Sequence, residues 1–277
     1  MKAKIFPNSY QRHIQMKEAA RKSKEDDEAD ALNQDKPDFH LVCFDLMAVQ
    51  NLLMVSAGMA YYKLKLCIHK FTIYNMINHE SMNYWFDETA SDLSASTYAS
   101  CVVDYLSERL DTALQPIVIY SDGCTAQNRN SILSNALLHL AVSKKVSITH
   151  KYLERGHTQL ECDSVHSVIG RKFKHIDIHL PSQLIQLTYS ARVKPSLYNS
   201  KLVDHTFFED FTKNMTCFRT LFYFSIRPGR SSGDAVVVDI KALKYLPTGF
   251  IQYKLHFEDD FKDLPRRPAV IRPPRNL

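Results

Sequence analysis

The chain has 277 residues, 45% of them apolar and 23% charged, a globular composition that excludes disorder throughout. No apolar run reaches the roughly 18 residues a membrane helix needs, because Asn51, Ser56, Gly58 and Lys63 interrupt the best stretch, so no membrane partner is expected. A net charge of +5 permits a nucleic-acid partner without requiring one, and six cysteines without a C-x-x-C pair read as reduced thiols, not as a disulfide framework or zinc ribbon.

The opening MKAKIFPNSYQRH has no apolar run after its lysines, so the expected location is nuclear or cytoplasmic and not secreted. Residues 8–35 are rich in Ala, Lys, Glu and Arg with only Tyr10, Ile14 and Ala20 as an apolar stripe, which predicts a solvated helix. Its basic half precedes its acidic half, against the helix dipole, so its stability must come from docking. From Phe39, FHLVCFDLMAV is the nearly continuous apolar run of a strand buried on both faces. Tyr61–Met76 alternates as a second strand and Met82–Thr89 as a third, an antiparallel meander. A helix follows over SASTYASCVVDYLSERLDTAL, with Ser91 and Asp92 as candidate caps. Then come a fourth strand IVIYSD after Pro116, a helix from Asn128 to Leu140, a fifth strand VSITHKYL and a helix from Thr158 to Phe173. Beyond residue 176, LPSQLIQLTYSARV predicts a helix capped by Ser182, and HTFFEDFTKN a short helix or turn. MTCFRTLFYFSI, DAVVVDIKALKYL and FIQYKLHF are strand-rich, before a basic, proline-rich PRRPAVIRPPR. The implied organisation is a charged helix over 1–37, an α/β core of order β-β-β-α-β-α-β-α over 38–175, and a smaller α+β appendage over 176–277.

Three acids stand out. Asp45 lies inside the first strand, where a carboxylate is costly unless paired or bound to a cation. Asp122 ends the fourth strand, at the carboxyl edge where ligands bind in open α/β sheets, and SDGCTAQNRN turns the chain there. Asp163 and His166 are i and i+3 neighbours on the last core helix and share a face. Converging acids of this kind suit Mg²⁺ or Mn²⁺, and two such ions activate a water or 3′-hydroxyl for phosphoryl transfer. A zinc cluster of His157, Cys162, Asp163 and His166, with Cys124 nearby, uses the same segment, but H-x4-C-x3-H is not a usual zinc spacing. Plainer roles stay open for the acids: a strand-end turn or cap for Asp122, an outward edge position for Asp45, and a first-turn helix acid for Asp163.

The strand order with Asp45, YSDGCTAQN and GHTQLECDSVH resembles the ribonuclease-H-like fold of DDE/DDD transposases and retroviral-type integrases. More closely, YKLKLCIHKFTIYN, SDGCTAQNRN, THKYLERGHTQLECDSVHSVI, LPSQLIQL and TGFIQYK resemble a transposon-associated domain of unknown function, abundant in arthropod proteins, over roughly residues 8–260. That resemblance implies metal-dependent DNA strand cleavage or transfer, with Asp45, Asp122 and Asp163 holding Mg²⁺ or Mn²⁺ and His166 beside them. It also implies a DNA or RNA partner touched by Gln127, Asn128, Arg129, His157, Arg171 and Lys172. The chain departs from that family at Gly123, where Asn is usual, at Thr125-Ala126, which replace a Gly pair, and at Gly170, where Glu is frequent. After Asp45 it runs MAVQNLLMVSAG, where the family has a proline-containing turn. These departures motivate the alternative of a catalytically inactive nucleic-acid-binding or protein-interaction module on the same fold.

Overall fold

The computed structural model describes residues 7–33, 37–52, 66–154, 160–174, 176–212, 221–265 and 269–270. In chain order the elements are α1 (Pro7–Leu32), β1 (His40–Leu46), β2 (Gln50–Leu52), β3 (Leu66–Asn75), β4 (Ser81–Asp87), α2 (Ala95–Thr112), β5 (Ile117–Asp122), α3 (Ser131–Lys144), β6 (Ile148–Leu153), α4 (Glu161–Phe173) and α5 (Pro181–Tyr189). The rest are β7 (Asn199–Leu202), β8 (Leu221–Phe222), β9 (Ala242–Tyr245), β10 (Ile251–Lys254), β11 (Lys262–Asp263) and β12 (Ala269–Val270). Ten of the strands form one mixed sheet in the order β11-β10-β9-β6-β5-β1-β3-β4-β7, with β2 on β3. The protein is thus α/β, as its alternation of apolar strand runs and amphipathic segments predicts. Among the described residues no helix is long and apolar enough to cross a membrane.

The apolar run in β1 puts that strand at the centre, where both faces are covered: β3 runs antiparallel on one side and β5 parallel on the other. β3 and β4 are antiparallel, and β5 and β6 parallel. Because side chains alternate across a strand, each inner strand serves two cores. Val42, Phe44, Phe71, Ile73, Tyr84 and Phe86 pack with Tyr98, Val102 and Tyr105 of α2 and Leu133 and Leu137 of α3. On the opposite face Leu41, Cys43 and Tyr120 meet Ala20 and Ala31 of α1 and Cys162 of α4, while Trp85 packs with Val165, Ile169, Phe173 and Leu184 of α4 and α5. Fully burying side chains of this size is worth about 1.5–3 kcal/mol each.

α1 docks through polar pairs more than through its thin apolar stripe. Asp27 accepts from Tyr120 Oη at 2.6 Å and from Lys151 Nζ at 2.7 Å, and Lys24 pairs with Glu161. Tyr10, expected on the packed stripe, is 57% exposed. α3 begins at an Asn130 cap, whose side chain accepts from Leu133 N at 2.9 Å. The caps of α2 and α5 differ from those expected. Ser94 precedes α2 without a side-chain cap, and at α5 Gln183, not Ser182, reaches back to accept from Leu180 N at 2.9 Å.

The segment expected as an appendage contributes to the same sheet. β7 adds to β4 in parallel, and β9–β11 extend the sheet beyond β6, because the edges of a five-strand core leave unpaired backbone groups that a later segment can satisfy. Residues 205–212 form no helix; Asp204 and Asp210 instead bond Thr206 N and Thr212 N, each at 2.9 Å, as local turns. Most of the proline-rich tail lies outside the described residues.

One buried titratable group in the sheet gives a stability test. His150 is fully buried on β6, with Nε2 2.8 Å from Ser121 Oγ. Burial, and then the nearby Arg129 charge, push its pKa down to about 3. A folded-state pKa below the unfolded value of about 6.5 means the contribution of neutral His150 is complete above that value and is lost as pH falls towards 3. Urea unfolding should therefore lose about 2 kcal/mol more in the wild type than in His150→Gln between pH 7 and pH 5. Equal losses would refute the buried, neutral state.

Candidate functional site

β1, β5 and α4 bring the predicted acids together. Asp45 pairs across β1–β3 with Thr72, and Thr72 pairs across β3–β4 with Asn83, so the three form one row on the face covered by α4. On the other side β1 pairs Cys43 with Tyr120 of β5, and two residues further along both strands stand Asp45 and Asp122. Over that edge lies the first turn of α4, where a ligand atom each of Asp45, Asp163 and His166 lie within 4.8 Å of one another.

Each acid is held by the backbone around it. Leu46 N donates to Asp45 Oδ1 at 2.9 Å. Asp122 Oδ1 accepts from Cys124 N at 3.2 Å and from the Asn128 amide. Asp163 Oδ2 accepts from Leu160 N at 3.2 Å, which caps α4, while its carboxylate stays exposed. Asp163 therefore serves the helix end and the cluster together, and the plainer reading of a first-turn acid is part of its role.

The electrostatics are those of crowded, uncompensated negative charge. Burial first, then the charges of Asp122 and Asp163, raise the Asp45 pKa to about 7 against the lowering effect of Leu46 N. Among the described residues no basic side chain forms an ion pair with any of the three acids. His166 is pushed down to about 3, mainly by burial and then by the charge of Lys70, so its ring is neutral near pH 7. Its Nε2 lies 3.1 Å from Thr72 Oγ1.

The other predicted contacts divide. Arg171 and Lys172 are exposed on α4, and Gln127 is half-buried, with Nε2 donating to Tyr98 Oη at 3.4 Å. Asn128 and Arg129 are corrected: they are 3% and 5% exposed, one orienting Asp122, the other lying over the Tyr152 ring at 4.6 Å and donating to Val238 O. Neither presents a surface for a phosphate backbone. His157 lies outside the described residues. On the zinc alternative, Cys162 is fully buried with its Sγ 3.7 Å from Cys43 Sγ, and among the described residues the converging ligand atoms include no cysteine.

Gly123 has a physical reason different from turn strain. Among Gly123, Thr125 and Ala126 none has a positive φ, but a Cβ at Gly123 would sit 2.2 Å from an Arg129 guanidinium nitrogen. At Gly170, one turn beyond His166 on α4, a Cβ would meet nothing within 4 Å.

Three site residues escape the sequence reading. Thr72 and Asn83 are fully buried and bonded to each other, and Lys70, 1% exposed, has no hydrogen-bond partner for its amine among the described residues. That amine lies 5.5 Å from the Trp85 ring centroid, and burial lowers its pKa to about 7. Lys70 is a charge on the strand face that also carries Leu66, Ile68 and Tyr74, which is the signal that could have found it.

No family model matches this chain, and no curated protein and no solved structure matches it.

Proposed function

We propose that the chain is a transposon-derived, ribonuclease-H-like protein of the DDE/DDD transposase type, acting on DNA in the nucleus with Mg²⁺ or Mn²⁺. The observation that carries this reading is the convergence of Asp45, Asp163 and His166 within 4.8 Å, with Asp122 at the adjoining strand end. The core order β6-β5-β1-β3-β4, with β1 antiparallel to β3 and parallel to β5, supports the fold part of it.

The donor chemistry fits a divalent cation. Hard carboxylate oxygens without a basic partner among the described residues, one of them with a pKa raised first by burial and then by its neighbours' charge, make a site whose electrostatics a cation would satisfy. Asp45, Asp122 and Asp163 would hold it. Bound there, Mg²⁺ or Mn²⁺ would supply Lewis acidity to a phosphodiester oxygen and an activated water or 3′-hydroxyl. The chain's own part is positioning: Leu46 N, Cys124 N, Asn128 and Leu160 N fix the three carboxylates before substrate arrives. Arg171 and Lys172, exposed further along α4, are the cations available to phosphates leaving the acidic site.

The test is a supercoiled-plasmid assay with the full chain. Nicking with Mn²⁺ or Mg²⁺ and none in EDTA is the expected result; equal nicking in EDTA would refute the metal mechanism. Salt-dependent binding without nicking would favour the non-enzymatic module instead.

A further inference from the structure

A chain of hydrogen bonds crossing three strands links the backbone of β7 to the His166 ring. Asn83 Nδ2 donates to the backbone oxygen of Asn199 at 3.0 Å and to Ser81 Oγ at 3.2 Å. A carbonyl oxygen only accepts, so the amide nitrogen must be on that side, and Asn83 Oδ1 must face the other way. It faces Thr72 Oγ1, 3.0 Å away. An amide oxygen cannot donate, so the single hydroxyl hydrogen of Thr72 is used there. Thr72 Oγ1 then has only lone pairs left for His166 Nε2, 3.1 Å away. For that contact to be a hydrogen bond, Nε2 must carry the ring hydrogen, and in a neutral imidazole the other nitrogen is then the acceptor.

We infer that the Asn199–Asn83–Thr72 relay fixes His166 as the Nε2–H tautomer, which leaves Nδ1 as the ring nitrogen with a free lone pair for a cation held by the cluster of Asp45, Asp163 and His166. Thr72 and Asn83 are positioning residues: both are fully buried and act through His166. The metal half of this inference rests on the proposed function; the tautomer half does not. An imidazole nitrogen added to hard oxygens favours a transition-metal ion such as Mn²⁺ over Mg²⁺, which keeps to oxygen ligands. The relay also gives β7 a role, because the edge strand's own carbonyl sets the orientation of Asn83.

The experiment is ¹⁵N-histidine NMR on the metal-free full chain, with His166 identified by the signals lost in His166→Gln, together with calorimetric titration of Mn²⁺ and Mg²⁺. In the wild type His166 should be protonated at Nε2 and bare at Nδ1, with Mn²⁺ bound more tightly than Mg²⁺. Thr72→Val keeps the side chain's shape but removes the acceptor; it should mix the two tautomers and weaken Mn²⁺ binding about 10–100-fold. Thr72→Ser should restore both. A wild-type His166 protonated at Nδ1, or a Thr72→Val protein with unchanged tautomer and Mn²⁺ affinity, would overturn the inference. The wild-type spectrum decides the tautomer even if Thr72→Val fails to fold. A correct tautomer in a protein that binds no Mn²⁺ would refute the metal reading and uphold the relay.

Discussion

Asp122→Asn should leave the protein folded and remove metal-dependent strand cleavage, lowering the nicking rate by about a thousandfold. The substitution is nearly isosteric and keeps an oxygen where Asp122 Oδ1 accepts from Cys124 N at 3.2 Å and from Asn128, so the turn after β5 keeps its hydrogen bonds. What it removes is one negative charge at the strand end beside Asp45. A ligand lost from a cation that stabilises a phosphoryl transition state forfeits several kcal/mol, and each ~1.4 kcal/mol is tenfold in rate. Thermal unfolding of the variant should match the wild type. Cleavage within tenfold of wild type would mean that Asp122 is only a turn carboxylate, the plainer role its position also allows.

The second large effect concerns the turn itself. Gly123→Ala should destabilise the fold by about 3 kcal/mol. The added methyl would lie 2.2 Å from an Arg129 guanidinium nitrogen and 3.0 Å from its Cζ. Moving the Arg129 side chain has a cost, because it is 5% exposed, stacked on Tyr152 and bonded to the Val238 carbonyl. Expelling it loses a charge-assisted hydrogen bond and leaves buried polar atoms to be satisfied afresh. In an Arg129→Met background the same Gly123→Ala change should cost under about 1 kcal/mol, since the flexible thioether can give way. Urea unfolding of the four proteins measures the coupling. A cost below about 0.5 kcal/mol in the wild-type background would show that the guanidinium moves freely and that Gly123 is not a packing requirement.

That result bears on how the departure at Gly123 is understood. Compared with a family that usually has Asn there, a glycine looks like erosion of the site. In the structure it is the space that lets Arg129 join the turn after β5 to the segment around Val238. The same replacement can thus mark a site losing its chemistry or a scaffold tying its strands together. Gly170 is the contrasting case, since a side chain there would meet nothing within 4 Å and packing does not require the glycine.

The parts of the fold legible in the sequence were those written in local pattern. The apolar run around Phe44, the alternation through Phe71 and Ile73, and the helical spacing of Tyr98, Val102 and Tyr105 each belong to the core they predict. Asp45 and Asp122 were legible because an acid in a buried strand, or at its carboxyl end, conflicts with its surroundings unless it has a task. Asp163 and His166 were legible as one helix face. Arg129 and Asn128 were misread because polarity in a turn suggests exposure, and only the partner strands reveal that both point inward. Thr72 and Asn83 were invisible for the opposite reason: a threonine and an asparagine in strands are ordinary until register sets them beside Asp45. The joining of β7 and β9–β11 to the core sheet was equally out of reach, because strand pairing across such distances leaves no mark on local periodicity.

Whether Asp45, Asp122 and Asp163 form one cation site is tested by an anomalous difference map from crystals soaked in Mn²⁺. The expected result is a manganese peak bonded to carboxylate oxygens of Asp45 and Asp163, with Asp122 in contact and His166 approaching through Nδ1. Ordered carboxylates with no manganese between them, at concentrations that saturate the nicking reaction, would contradict it.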